Sequence, residues 1–338
     1  MRLTREQILA FRRRVAALDA RLPFGARWLE TAAFAGLQDS MPRAALLSLA
    51  ARVEGIGPSA WEEAPLVQVW GPRFSAYVVA GRDRGVFTLG RHPDDARGRA
   101  RAETLAQRLR EHLGQEARPY DAVGRELGVK PNTLRYATTT GTVLIRWEGA
   151  RRPLIRSVAA PELDPREARL ELARRYLHVF GPGTAEGFAV WAGVRGPAAN
   201  AAFQMLGPSL TAVQTPVGEG WILNADEPEF RRPAEPNGGG GVRLLPSGDT
   251  LFLLQGRDRE LLVPDPARRG ELWTSRVWPG AVLLGGEVRG TWRRAQEIVS
   301  VSLWGAVSAA EQEAIEAEAA AMPIPGLEPG LLRVRWEG

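Results

Sequence analysis

Residues 122–136 read Ala122-Val123-Gly124-Arg125-Glu126-Leu127-Gly128-Val129-Lys130-Pro131-Asn132-Thr133-Leu134-Arg135-Tyr136, the pattern of a helix, a tight turn and a second helix. Gly124 falls where the two helices would cross, so the side chain there must be small. Gly128 falls where the turn needs a left-handed backbone, which glycine adopts without a Cβ penalty. Val129 and Leu134 take apolar positions facing a shared core, and Asn132 or Thr133 caps the second helix. Two β-prone runs, 142–147 and 153–158, follow and are joined by Glu148-Gly149-Ala150-Arg151-Arg152. The spacing predicts a hairpin with two arginines near its tip, the wing of a winged helix. Double-stranded DNA is the first partner expected of such a unit.

The pattern recurs. Thr184-Ala185-Glu186-Gly187-Phe188-Ala189-Val190-Trp191-Ala192-Gly193 places Ala189 at the crossing and Gly193 at the turn, with the interval that separates Gly124 from Gly128. A second helix over 198–206 and β-prone runs at 210–215 and 220–223 complete that copy. A looser copy lies upstream, with a short helix at 29–35, a turn at 36–40 and a helix over 42–53 opened by Pro42. A hairpin of 66–70 and 75–79 then turns around Gly71-Pro72. The copies share little identity, so the repeat is one of structure.

Beyond Glu235-Pro236-Asn237-Gly238-Gly239-Gly240-Gly241, the clearest linker of the chain, the composition changes. Short β-prone runs at 242–245, 250–254, 260–263, 281–284 and 297–303 are separated by Gly, Pro and Asp and predict a small barrel or curled sheet. A Glu-rich helix over 309–321 and a last strand at 331–336 follow. The fold expected is α+β: three tandem winged helix-turn-helix units and then a small β-barrel. The domains expected are 1–100, 101–160, 161–234 and 235–338.

Composition narrows the function. The chain has 338 residues, 44% hydrophobic and 25% charged, enough for a sizeable core. No apolar run approaches a membrane span, and residues 1–14 form a charged amphipathic segment unlike a signal peptide. In that segment Leu3, Ile8, Leu9 and Phe11 make one helix face, and Arg12, Arg13 and Arg14 are expected to be exposed. Cysteine is absent, and His92, His112 and His178 are isolated in sequence, so neither a metal nor another cofactor is expected. Net charge is +5, carried almost wholly by arginine and dense between Arg12 and Arg175. This asymmetry suits a basic face for DNA as well as it suits solvated helices. A cytoplasmic, nucleoid-associated monomer that makes no membrane contact is the expectation. Lys130 is the only lysine, and its place in a turn argues against Schiff-base chemistry, which uses a buried amine.

Further stretches carry a resemblance: Ala35-Gly36-Leu37-Gln38-Asp39-Ser40-Met41-Pro42, Ala50-Ala51-Arg52-Val53, Val67-Gln68-Val69-Trp70-Gly71-Pro72-Arg73 and Tyr77-Val78-Val79. Leu244-Leu245-Pro246, Asp258-Arg259-Glu260-Leu261-Leu262-Val263-Pro264 and Gly290-Thr291-Trp292-Arg293-Arg294 extend it. In this order they resemble the winged-helix superfamily that includes the bacterial AlkZ-like and YcaQ-like DNA glycosylases. The resemblance implies a concave DNA-binding channel and hydrolysis of the glycosidic bond of alkylated purines, with unhooking of interstrand crosslinks in some members. It also implies a catalytic Gln-apolar-Gln or Gln-apolar-Asp in the first unit. The matching positions are Gln38, Asp39 and Ser40, which keep the first glutamine and depart at the other two.

Such chemistry needs modest help. A purine alkylated at N7 or N3 is a cationic leaving group, so the protein must place a water and stabilise an oxocarbenium-like sugar. Gln38 is the candidate for the water and Asp39 for the charge; alternatively Asp39 or Ser40 caps the helix that Pro42 opens. For DNA contact the candidates are Arg73 and Phe74 at a hairpin tip, Arg135, Arg151 and Arg152, and Arg293 and Arg294. Two functions stay open: a monofunctional DNA glycosylase, or a non-catalytic DNA-binding protein on the same scaffold.

Overall fold

A computed structural model describes residues 1–39, 43–60, 65–147, 152–233, 241–253, 256–328 and 330–337. The first part holds α1 (Arg5–Val15), α2 (Ala26–Ala32), β1 (Leu37–Gln38), α3 (Ala44–Ala50), β2 (Leu66–Trp70), β3 (Ala76–Ala80) and α4 (Arg84–Leu89). Next come α5 (Ala96–Leu113), β4 (Ala117–Pro119), α6 (Tyr120–Glu126), a 3-10 segment (Pro131–Thr140), β5 (Val143–Arg146) and β6 (Leu154–Ser157). Then follow α7 (Pro165–Phe180), α8 (Ala185–Ala192), α9 (Gly196–Leu206), β7 (Leu210–Thr215), β8 (Gly218–Leu223) and α10 (Glu227–Arg231). The last part is β9 (Arg243–Leu245), α11 (Asp258–Leu262), α12 (Pro266–Leu272), β10 (Gly280–Leu284), β11 (Glu287–Ala295), β12 (Ile298–Leu303), α13 (Ala309–Ala320) and β13 (Arg333–Glu337).

The class is α+β, but the expected architecture is corrected in two ways. First, the winged units are not tandem modules. The hairpin β2–β3 and the hairpin β5–β6 join one six-stranded sheet, in the order β1-β3-β2-β5-β6-β4. Gln68 on β2 pairs with Ile145 on β5 at the seam. Two hairpins with unpaired edges gain main-chain hydrogen bonds by sharing a sheet, and local sequence carries no record of that choice. The turn glycines do behave as read: Gly128 has φ +66, and a Cβ at Gly124 would stand 3.0 Å from Pro131 Cα. The expected second helix there is the 3-10 segment instead. It ends in Thr138-Thr139-Thr140, whose β-branched side chains disfavour an α-helix.

Second, no sheet closes into a barrel. The C-terminal strands form an open sheet ordered β13-β12-β11-β10-β9. Two runs expected as strands are helical: residues 250–252 make a 3-10 turn opened by the Asp249 side chain, and Asp258–Leu262 is α11. Closure is also unnecessary. Helix α13 lays Ile315 and Ala319 against Leu244, Val282 and Val299, while Leu245, Ala281 and Leu283 join the main core. With apolar residues buried on both faces, the sheet has no exposed apolar face to hide by curling.

The arginines of α1 also differ from expectation. Arg12 and Arg13 are buried, at 2% and 5% exposure. Arg12 donates to Gly181 O (3.0 Å) and to Asp258 (3.2 Å), and Arg13 donates to Gly286 O (3.0 Å) and Asp19 (2.8 Å). Helix α1 thus ties the end of α7 to the C-terminal sheet. The linker expected at 235–241 lies, save Gly241, outside the described residues.

Candidate active site

Strand β1 is two residues long and pairs antiparallel with β3, Leu37 opposite Val78 and Gln38 opposite Tyr77; Asp39 N then donates to Ala76 O at 2.8 Å. Extended backbone sends alternate side chains to opposite faces. Leu37 (1% exposed) and Asp39 (2%) therefore share the buried face, and Gln38 points the other way, half-buried. Gly36 makes the approach possible. It has φ +72, and a Cβ there would stand 2.9 Å from the Tyr77 ring.

Asp39 is held by two donors. Ala45 N–H donates to Oδ1 at 3.0 Å, in the first turn of α3, and Gln68 Nε2 donates to Oδ2 at 2.7 Å. Trp147 N–H donates to Gln68 Oε1 at 2.6 Å, which fixes the orientation of that amide. Burial pushes the Asp39 carboxyl up to about 7, against the pull of the Ala45 N–H, the Arg43 charge and Gln68. The contact to Ala45 is a capping contact to α3, supplied from a neighbouring strand. Ser40 lies outside the described residues.

Gln38 stands in different surroundings. Its Oε1 accepts from Arg73 at 3.4 Å and from Tyr77 Oη at 3.5 Å, both at the outer edge of hydrogen-bonding distance. Its amide nitrogen faces Gly248, where a Cβ would stand 3.1 Å away. Gly248 comes from the loop after β9, and a buried ion pair anchors that loop to α3. Arg52 donates to both oxygens of Asp249, at 2.7 and 2.8 Å, and Ser48 Oγ donates to it at 2.7 Å. Despite burial, Arg52 and these donors hold the Asp249 carboxyl below its ordinary range.

The turn between β2 and β3 forms the other side of the site. Gly71 N–H closes it onto Ser75 O at 2.9 Å, and both Arg73 (φ +53) and Phe74 (φ +57) adopt left-handed backbone. Two consecutive non-glycine residues in that region store strain, which a packed surround must hold. Gly193, at the α8–α9 turn (φ +71), supplies part of it: a Cβ there would stand 3.1 Å from Arg73 Cα. Arg135 donates to Phe74 O at 3.3 Å, and the Phe74 ring meets Tyr136 edge-on at 5.1 Å. The structure thus brings Gln38, Arg73, Phe74 and Arg135 together and sets Asp39 behind the strand.

The remaining expected residues make their contacts elsewhere. Arg152 is exposed and donates to Asp121 at 2.5 Å; Arg151 lies outside the described residues. Arg293 and Arg294 are exposed near the end of β11, donating to Val277 O and Gln296 O. Sequence reading missed Arg91, Gly248 and the role of Tyr77. Tyr77 was within reach, since it lies in a resembling stretch. Arg91 and Gly248 gave no local signal, because their importance comes from chain segments far away in sequence.

The family model described as "DNA glycosylase AlkZ-like" matches residues 29–323. The chain belongs to the AlkZ-like family. Among solved structures, the Streptomyces sahachiroi DNA glycosylase AlkZ superposes with a TM-score of 0.78, covering 100% of both chains at 19% sequence identity. No curated protein matches the chain. The AlkZ-like match takes in every residue of the Gln38 site, from Gly36 on β1's approach to the Gly248 loop. No helix among the described residues is long and apolar enough to cross a membrane, and no group of metal-ligating side chains occurs among them.

Proposed function

We propose that the protein is a monofunctional DNA glycosylase that binds double-stranded DNA and hydrolyses the N-glycosidic bond of cationic alkylated purines. The observation that carries this reading is the setting of Gln38 within an AlkZ-like chain. Among the described residues its carbonyl oxygen is engaged by the two long contacts from Arg73 and Tyr77, which leaves it able to accept a hydrogen bond from a water. The alkylated base departs as a neutral group, so no general acid is required. Gln38 orients the water, and the strained Arg73–Phe74 turn meets the DNA beside it. Asp39 is a positioning residue in this reading: it holds the end of β1 and the start of α3 in register. Lys130, the only lysine, is exposed on its turn, which supports hydrolysis over a Schiff base.

A second reading, a non-catalytic DNA-binding protein, draws support from the burial of Asp39, which leaves no carboxylate on the exposed side of β1. Incubation with duplex DNA carrying N7-methylguanine separates the two. The glycosylase reading expects free base and an intact abasic strand that breaks only after alkali or heat. It also expects Gln38→Ala to slow release by roughly 10²-fold, as for loss of a transition-state contact, with duplex affinity within about twofold of the parent. If the parent releases no base from any cationic purine, the non-catalytic reading stands.

A further inference from the structure

Three guanidinium groups surround the β2–β3 turn, and no carboxylate among the described residues pairs with any of them. Arg73 donates to the neutral Gln38 amide; Arg91 donates to Ala192 O (2.8 Å) and Trp70 O (3.0 Å); Arg135 donates to Phe74 O. Each keeps a buried N–H with no acceptor: Nε of Arg73, one terminal nitrogen of Arg91 and Nε of Arg135. Arg91 is the extreme case, at 5% exposure. Burial lowers its pKa to about 9; Tyr77 nearby opposes that shift in part, and no carboxylate among the described residues does. An unpaired buried charge costs several kcal/mol, so a fold that keeps one is an incomplete ion pair awaiting an anion.

Arg91 also lines a cavity of about 220 Å³, together with Phe74, Arg101, Tyr136, Gly193 and Arg195. Two acidic residues share its wall, and both are engaged. Asp94 takes Arg169 at 2.6 Å; Asp95 accepts from Gly98 N–H at 2.8 Å and from Arg195 at 3.4 Å. The Arg91 guanidinium lies 4.5 Å from the centre of the Phe74 ring, and Arg101 lies 4.0 Å from that of Tyr136, so both arginines present a cation on an aromatic platform.

We propose that this cavity seats one backbone phosphate of a bound DNA strand, with Arg91 as the buried charge that the phosphate completes and Arg101 at the rim. The assignment rests on the DNA-binding part of the function proposed above. A phosphate suits the site because its several oxygens accept from more than one guanidinium fork. The Phe74 ring covers Arg91, so entry of the phosphate moves that ring aside, and the strained backbone at Arg73 and Phe74 makes the turn a ready place for the movement. Since Arg73 reaches Gln38 from the same turn, the seated phosphate belongs to a nucleotide close to the one attacked.

The test is a methylphosphonate scan. A duplex carries one tetrahydrofuran abasic analogue, and each phosphate near it is replaced in turn by the uncharged methylphosphonate. One position costs the parent about tenfold in affinity, and the same replacement costs Arg91→Met less than about twofold, as expected when two groups lose one shared contact. Because Arg91 is buried, thermal unfolding first checks that the variant folds. Arg101→Ala, at an exposed position, gives the same coupling independently, at about threefold. The proposal is overturned if the parent binds the duplex and every position costs the same in parent and variants. It is equally overturned if inorganic phosphate alone saturably shifts the Arg91 Nε–H resonance while no DNA position couples, which makes the site one for free phosphate. Base release is measured separately, so coupling without release defeats the glycosylase reading and leaves this one intact.

Discussion

Leu37, Gln38 and Asp39 are consecutive, and strand alternation gives them opposite fates. Asp39 faces two donors, and the Gln68 amide cannot rotate because Trp147 N–H holds its oxygen. Asparagine at 39 offers a single acceptor to those two donors, so one is left unsatisfied. Asp39→Asn should therefore destabilise the protein by about 1–3 kcal/mol at pH 8, measured by urea unfolding. The pH dependence follows from the raised pKa. The unfolded chain ionises this carboxyl near its ordinary 3.8 and the folded protein near 7. Its stability contribution is then full below about pH 4 and is lost as the pH rises to 7. The gap between parent and Asp39→Asn should be widest near pH 4, narrow toward pH 7 and stay flat above it. A gap that widens from pH 4 to 7 would show that the folded carboxyl ionises more readily than the unfolded one.

At the scale of elements, the loop after β9 is pinned to α3 by the Arg52–Asp249 pair, both partners at 1% exposure. Breaking such a pair leaves a buried charge uncompensated, so Asp249→Ala should cost about 3–5 kcal/mol. Replacing both partners, by Arg52→Met with Asp249→Leu, should recover most of that loss in the same unfolding measurement. The loop also places Gly248 against Gln38. Gly248 has φ +78, so Gly248→Ala costs about 1–2 kcal/mol for the left-handed backbone and pushes a methyl at the Gln38 amide. Base release should fall by about tenfold while duplex affinity holds; an equal fall in both would place Gly248 on the binding surface alone. The elements themselves were largely legible. The Glu-rich helix expected over 309–321 is α13, Ala309–Ala320, and both strands expected at 210–215 and 220–223 form. Runs that failed, such as 260–263, are short apolar stretches whose period cannot tell strand from helix.

For the whole molecule, the charge pattern predicts that duplex binding depends on salt. If about four phosphates are neutralised, the logarithm of affinity falls with a slope of about −3.6, or roughly a hundredfold between 50 and 200 mM salt. A fluorescence-anisotropy titration checks this, and a slope near zero would exclude phosphate contact as the source of affinity. Arg152 shares Asp121 with Arg125, so its charge is partly answered within the protein. Arg152→Glu should weaken binding by a similar factor on all sequences, about threefold or more, because it also repels Asp121.

The sequence alone determined what depends on neighbours a few residues apart: the approximate course of most helices, the turn glycines at 128 and 193, the hairpins, and the ordered stretches that carry the AlkZ-like resemblance with Gln38 among them. Tertiary structure alone decided what depends on distant partners. It fused two hairpins into one sheet, left the C-terminal sheet open, turned Asp39 inward and buried Arg12, Arg13 and Arg91. The reason is physical. Backbone conformation is set largely by local sterics and hydrogen bonds, whereas strand pairing and the burial of charge are settled by groups that meet only when the chain has folded.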